Sequence, residues 1–144
     1  MGVASTVQGA LLRLHQTLYE RTDGRVGHGM ILVPTLLLRT TGRRSGAPRC
    51  NALVYAKDGT DYVVVASNGG REQAPGWFHN ARAKPQVEIQ VGRTRRSGAA
   101  RVIERGDDDF ERLWQLVNDN NHARYDAYQA QAARPIPLLV VSPT

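Results

Sequence analysis

Short apolar runs separated by turn residues fill the chain after residue 30, and they restrict its fold more than any other feature. The second and third runs flank Asp58-Gly59, a dipeptide typical of tight turns, so they are predicted to pair as a β-hairpin. Helical segments interrupt the strands without alternating with them. This order predicts an α+β, mainly β fold: an antiparallel sheet or small barrel with peripheral helices. The predicted strands cover residues 30–39, 49–57, 61–67, 85–91, 95–104 and 136–141.

Helical patterns occupy three places in this part of the chain. Pro75 begins a short helical stretch over 75–83, where its missing N–H costs no hydrogen bond. The acidic residues 107–109 favour a helix N-terminus, and apolar residues at helical spacing follow them. A further short helix is predicted over 123–132. The buried stripe of the middle helix is predicted to consist of Phe110, Leu113, Trp114 and Val117.

An amphipathic helix is also predicted near the N-terminus, over residues 6–20. Apolar residues recur there at helical spacing, and the pattern ends at Gly24. We therefore divide the chain into an N-terminal extension, 1–24, and a folded domain, 25–144. The helix could pack on the domain, or it could contact a membrane surface or a partner.

Length and composition are those of an ordinary globular chain. With 144 residues, 41% of them hydrophobic, one compact domain is expected. The longest apolar run, 30–38, has nine residues, whereas a helix that spans a bilayer needs about 20. No secretory-signal pattern opens the sequence, and the single Cys50 cannot form an intrachain disulfide. We therefore expect a cytoplasmic protein, with the N-terminal helix as the one candidate for peripheral membrane contact; the pattern leaves the oligomeric state open.

Positive charge is concentrated in one stretch. No acidic residue lies between Asp23 and Asp58, and the six cations in that interval equal the formal net charge of +6. At its centre, residues 40–49 read TTGRRSGAPR. Arginine suits phosphate and carboxylate groups, and glycine lets backbone N–H groups approach an anion. The segment is either an anion-binding turn or a hairpin turn whose arginines are merely solvated.

Side chains that could catalyse a reaction without a cofactor are scarce. No GxSxG motif occurs, and Cys50 has no histidine near it in sequence, which argues against a triad hydrolase. The four histidines never occur at the i, i+4 spacing of a helical metal site, so no metal is predicted. An enzyme with this sequence would therefore rely on a cofactor.

Three polar segments could meet around such a cofactor. The arginine-rich turn could bind an anion, residues 65–70 (VASNGG) end a strand in a polar loop, and residues 75–80 (PGWFHN) place an indole and an amide on a short helix. A phosphate, a polar ring edge and an aromatic ring face would each find a partner. Alternatively, Trp77 is a core residue and 68–70 is an ordinary loop.

The segments LLRTTGRRSGAPR, YVVVASNGG, PGWFHN and YDAYQAQAARPIPLLVV occur in this order over residues 30–144. As an ordered set they resemble the deazaflavin-dependent nitroreductases of actinobacteria, also called coenzyme F420H2-dependent quinone reductases. The resemblance implies a split β-barrel of the FMN-binding type that binds reduced coenzyme F420, an 8-hydroxy-5-deazaflavin. It also implies hydride transfer to a small-molecule acceptor: a quinone, a nitroaromatic or an activated enone.

The same resemblance implies which residues contact the coenzyme. Residues 43–45 match the segment that meets the phosphate and glutamate tail, and 49–52 match contacts from the next strand. Residues 65–68 match the loop beside the phosphate and the deazaflavin, and 76–80 match the helix along the ring. The implied coenzyme-binding residues are Arg43, Arg44, Ser45, Arg49, Cys50, Asn51, Ala52, Val65, Ala66, Ser67, Asn68, Gly76, Trp77, Phe78, His79 and Asn80.

Catalytic residues are implied as well. Tyr125 and Tyr128 match tyrosines that border the family's substrate pocket, and with Ser67 they could donate a proton to the acceptor or polarise its oxygen. The alternative is a small barrel that binds a cofactor or nucleic acid without catalysis. Only 6% of the residues are aromatic and none interleaves with the arginines, so no nucleic-acid partner is expected.

Overall fold

The computed structural model describes residues 34–144, so the helix predicted over 6–20 and the boundary placed at residue 24 lie outside the described residues. No helix within this range is long and apolar enough to cross a membrane. In chain order the elements are β1 (Thr35–Thr41), β2 (Pro48–Val54), β3 (Ala56–Asp58), β4 (Asp61–Val65), a 3-10 turn (Asn68–Gly70), α1 (Gly76–Ala83), β5 (Gln86–Val91), β6 (Thr94–Ile103), α2 (Phe110–Asn120), α3 (Arg124–Gln131) and β7 (Leu138–Pro143).

The seven strands of the described region form one sheet in the order β2-β1-β5-β6-β7-β4-β3, and all its neighbouring strands are antiparallel. This confirms the predicted α+β architecture, a mainly antiparallel sheet with peripheral helices. The hairpin predicted at Asp58-Gly59 is also confirmed, since β3 and β4 pair with Asp58 opposite Asp61.

The single strand predicted over 49–57 is wrong, because this stretch forms two strands. β2 pairs with β1, whereas β3 pairs with β4 at the opposite end of the sheet order. Only Tyr55 separates them; its N–H donates to the Pro34 carbonyl at 3.1 Å, and its carbonyl accepts from Asn120 Nδ2 at 2.7 Å. Since the two edge strands are neighbours in the chain, the sheet curls until its edges meet at Tyr55. The pattern hides this break because residues 52–56 are uniformly apolar.

Two apolar clusters lie on opposite faces of the sheet. Successive side chains of a strand point to opposite faces, so Val64 of β4 joins one cluster and Val63 joins the other. The first cluster includes Phe78 of α1, and the second includes Phe110 of α2. β4 is therefore buried on both faces, which gives the loop that follows it a rigid base.

The helix after residues 107–109 is confirmed, with one correction to its buried stripe. Phe110, Leu113 and Val117 are buried, but Trp114 is only half-buried. Its ring stacks on Phe110 with centroids 5.5 Å apart, and its Nε1 donates to Asp126 of α3 at 2.7 Å. Trp114 thus packs against the second apolar cluster and also joins α2 to α3.

Candidate functional site

A cleft of about 740 Å³ opens where the β1–β2 turn, the loop after β4 and the N-terminal end of α1 meet. Its lining contains three arginines and no acidic residue, and we call it the arginine cleft. The three segments predicted from the sequence to converge do converge here. Nine of the residues predicted to bind the coenzyme line it: Arg43, Arg44, Ser45, Arg49, Asn51, Asn68, Gly76, Trp77 and Asn80.

Contacts within the β1–β2 turn hold its shape. The N–H of Gly42 donates to the Ala47 carbonyl at 2.7 Å, and Ser45 Oγ accepts from the Ala47 N–H at 3.1 Å. A Cβ on Gly42 would lie 2.8 Å from Ser45 Oγ and 3.1 Å from the Ala47 carbonyl oxygen, and Gly46 has a φ of +72°, so a larger residue at either position would strain this conformation. The segment is a hairpin turn and also one wall of the arginine cleft.

A buried amide on α1 ties this turn to the helix. Asn80 Oδ1 accepts two hydrogen bonds from Arg43, one from its backbone N–H at 3.1 Å and one from Nη1 at 3.0 Å. Asn80 is only 6% exposed, so its oxygen is a fixed acceptor. The turn and the helix therefore form one continuous wall of the cleft.

Strand periodicity decides which residues of β2 reach the cleft. Arg49 and Asn51 pair with Thr40 and Leu38 of β1, and share a face of the sheet with the first apolar cluster and α1. Both line the cleft. Cys50 and Ala52 alternate with them and point to the other face, and neither lines the cleft. The family resemblance implied that all four residues contact the coenzyme. Because successive side chains of a strand point to opposite faces, only every second residue can face a ligand in the cleft.

The loop after β4 has an irregular backbone. Asn68, Gly69 and Gly70 have φ of 47°, 65° and 82°, three consecutive residues in the left-handed region. Asn68 Nδ2 donates to the Gln73 carbonyl at 2.9 Å, which closes the loop on itself. Asn68 and Gln73 both line the arginine cleft.

Four residues that line the cleft were not predicted: Gly42, Gln73, Ala74 and Pro75. Gly42 and Pro75 lie inside the motifs TTGRRSGAPR and PGWFHN, so their place in the cleft could have been predicted from those motifs. Gln73 and Ala74 lie between motifs and have no distinguishing pattern. Only closure of the loop brings them to the cleft.

The rest of α1 faces elsewhere. Phe78 and His79 line a second cleft of about 550 Å³, which shares Arg43 with the arginine cleft and also contains Arg82 and Arg134. Burial lowers the pKa of His79, and the nearby charges of Arg43, Arg82 and Arg134 lower it further. His79 is therefore predominantly neutral at neutral pH.

The other predicted coenzyme residues and the predicted catalytic residues line neither cleft. Val65, Ala66 and Ser67 are buried where β4 ends. Tyr125 belongs to the second apolar cluster, where burial raises its pKa to about 12. Tyr128 is half-buried, and its ring meets that of Tyr125 edge to face at 6.3 Å. The structure thus places both tyrosines on α3, beside the loop after β4.

The electrostatics of the arginine cleft favour an anionic ligand. Within residues 34–144, no carboxylate pairs with Arg43, Arg44 or Arg49, whereas Arg112 pairs with Asp58 at 2.8 Å. Unpaired guanidinium groups beside the indole of Trp77 can hold a phosphate or carboxylate next to an aromatic ring. These donors fit a phosphorylated deazaflavin with an acidic tail. The same range contains no cluster of three His, Cys, Asp or Glu side chains that could hold a metal ion.

Comparisons with known proteins agree with this geometry. Residues 11–143 match the F420H(2)-dependent quinone reductase family. An F420H(2)-dependent quinone reductase of Mycobacterium tuberculosis is 48% identical over 133 residues, which cover 92% of this chain and 89% of that protein. A solved F420-H2 dependent reductase is similar with a TM-score of 0.68 and 33% identity, over 76% of this chain and 94% of that chain.

A more distant likeness concerns the fold alone. An FMN-binding protein of Nostoc punctiforme, related to pyridoxamine 5'-phosphate oxidase, has a TM-score of 0.50 and 14% identity, over 99% of this chain and 81% of that chain. Together with the solved reductase, it confirms the predicted split β-barrel of the FMN-binding type.

Proposed function

Because this chain belongs to the F420H(2)-dependent quinone reductase family, we propose that it binds reduced coenzyme F420 in the arginine cleft and that a hydride passes from it to a quinone. The observation that carries the proposal is the composition of this cleft. Three arginines without carboxylate partners line it, no acidic residue does, and an indole lies beside them. Such a surface suits a ligand that combines several negative charges with an aromatic ring.

The binding residues divide by chemistry. Arg44 and Arg49 would hold the anionic groups, since their guanidinium groups are exposed and form no ion pair in the described region. Trp77 lines the cleft but is 6% exposed and belongs to the first apolar cluster, so only a small part of its indole would contact the ring. Arg43 and Asn80 are hydrogen-bonded to each other and would hold in place the cleft wall between the anion-binding arginines and Trp77.

When bound, reduced F420 supplies the hydride, and the residues of this chain hold the reactants in place and deliver a proton. Reduction of a quinone to a hydroquinone consumes one hydride and one proton. Tyr125, Tyr128 and Ser67 remain our predicted proton donors. The half-exposed Tyr128 is the better candidate of the two tyrosines, because Tyr125 is 6% exposed and packed in the core.

We extend the proposal to other acceptors. Nitroaromatics and activated enones share with quinones an electron-poor π system that accepts a hydride, so they are proposed as further substrates. The proposed location is the cytoplasm. The helix predicted from the sequence over residues 6–20 stays a candidate for membrane contact.

Calorimetric titration of the protein with F420, FMN and duplex DNA tests the binding step. F420 should bind more tightly than FMN, because FMN has a phosphate but no acidic tail. Equal or tighter binding of FMN, or binding of DNA alone, would contradict the proposal. Turnover of menadione with reduced F420, followed by deazaflavin absorbance, tests the reaction; tight F420 binding without turnover would favour the non-enzymatic alternative.

A further inference from the structure

Arg134, in the segment between α3 and β7, reaches across to the loop after β4 and binds its backbone. Its Nε donates to the Arg71 carbonyl at 3.0 Å, and its Nη2 donates to the Ala66 and Ser67 carbonyls, each at 3.0 Å. A longer contact of 3.4 Å joins Nη2 to the Gln73 carbonyl. One guanidinium group thus holds both ends of the loop.

The loop needs such a partner because its backbone is irregular. Asn68, Gly69 and Gly70 lie in the left-handed region, so the neighbouring carbonyls have no regular ladder to join. No carboxylate pairs with Arg134 in the described region, and burial lowers its pKa. The carbonyl groups of the loop, and not a carboxylate, are therefore its hydrogen-bond partners.

Arg134 is itself held in place by one side chain of α3. Gln129 Nε2 donates to the Arg134 carbonyl at 2.8 Å, and Gln129 Oε1 accepts from the Ile136 N–H at 2.8 Å. Gln129 Oε1 also accepts from Arg105 at 3.1 Å. The end of α3 and the start of β7 thus fix the base from which Arg134 extends.

We propose that Arg134 is a positioning residue for the coenzyme site. It holds the loop so that Asn68 and Gln73 face the arginine cleft, while it does not itself line that cleft. The inference rests on the proposed function, because it takes the arginine cleft to be the coenzyme site. The inference adds Arg134 to the residues that shape the coenzyme site, although it lies 61–68 positions away in sequence from the carbonyl groups that it binds.

The test compares Arg134→Ala with Arg82→Ala. Arg82 is a matched control, because it lines the same second cleft and carries the same charge, yet no hydrogen bond or ion pair joins it to the loop. We expect the Kd for oxidised F420 to rise about 10- to 100-fold in Arg134→Ala, at low and at high salt, since the loss is one of geometry. Arg82→Ala should change the Kd less than about threefold, and salt should erase that change.

Two further measurements separate positioning from general stability. Amide hydrogen exchange over residues 66–73, measured without coenzyme, should accelerate in Arg134→Ala and stay unchanged in Arg82→Ala. Millimolar guanidinium chloride should restore part of the F420 affinity of Arg134→Ala, because the second cleft leaves the vacated position open to solvent; potassium chloride should not. Unchanged exchange and unchanged Kd in Arg134→Ala would overturn the inference.

Arg134→Lys keeps the experiment decisive if the alanine variant does not fold. Lysine retains the charge but lacks the planar fork that reaches both ends of the loop, so its Kd should still exceed the wild-type value by at least about threefold. Wild-type affinity and exchange in Arg134→Lys would overturn the inference. A wild-type protein that fails to bind F420 would instead overturn the proposed function.

Discussion

Asn80 accepts two hydrogen bonds from Arg43 with a single oxygen, at 3.1 Å from the backbone N–H and at 3.0 Å from Nη1. The contact joins residues 37 positions apart, so it connects the β1–β2 turn to α1. Asn80 is buried, so loss of its oxygen would leave two Arg43 donors without their acceptor. Asn80 should therefore matter for stability and for coenzyme binding together.

We expect Asn80→Ala to lower the free energy of unfolding by about 1–3 kcal/mol, because it removes the acceptor of two donors. Asn80→Asp keeps the acceptor oxygen, replaces the amide nitrogen by a second oxygen and adds a negative charge beside Arg43. It should preserve more of the stability than Ala but still weaken F420 binding, since the new charge repels the anionic coenzyme. Thermal melts and F420 titrations of both variants measure the two effects. Equal F420 affinity in wild type and Asn80→Asp would show that no anionic group binds near Arg43.

The alternation of β2 gives a second prediction. Arg49→Ala should weaken F420 binding by about 10- to 100-fold, because one charge-assisted contact is worth about 1.5–3 kcal/mol. The loss should shrink at high salt, where exposed charges are screened. Cys50→Ala changes the neighbouring position, which points to the other face of the sheet, and should leave the affinity within about twofold. Titrations of both variants at two salt concentrations provide the measurement; a larger loss in Cys50→Ala than in Arg49→Ala would contradict the assignment.

The two tyrosines of α3 should respond differently to loss of the hydroxyl group. Tyr128→Phe should lower hydride transfer to menadione, by about 10²–10⁴ if the hydroxyl donates the proton. Tyr125→Phe should mainly lower the melting temperature, because the phenol is buried in the second apolar cluster. Stopped-flow rates and melting curves on the same two variants separate these effects. Full activity in Tyr128→Phe would remove it from the mechanism.

The lowered pKa of His79 predicts that the free energy of unfolding depends on pH. Its pKa is lowered in the folded protein by burial and by three arginines, so below about pH 6.5 the unfolded chain takes up a proton that the folded chain resists. Stability should therefore fall as the pH drops below this value, towards the lowered pKa. In His79→Gln this contribution should vanish. Melting temperatures between pH 7.5 and 5 for both proteins measure the difference; parallel curves would contradict the prediction.

Much of this architecture could be predicted because its signals are local. The strand predicted over 85–91, the Asp58-Gly59 turn and Pro75 at the start of α1 each depend on neighbouring residues, and each appears in the structure as expected. The three segments of the arginine cleft were recognised for the same reason. Arginines between glycines predict an anion-binding segment, and an indole on a short helix predicts an aromatic contact, whatever the rest of the fold.

The remaining features depend on contacts that no local pattern records. The break at Tyr55 arises because the sheet closes on itself, although the sequence around it is uniformly apolar. Burial of Tyr125 depends on how α3 packs against the second apolar cluster. No sequence pattern distinguishes Arg134 from the other arginines, because its partners are carbonyl groups more than 60 residues away in the chain. The sequence by itself determines side-chain chemistry and periodicity, because these depend only on neighbouring residues. The tertiary structure decides strand partners, burial and long-range hydrogen bonds, because these require residues that are distant in the chain to come together.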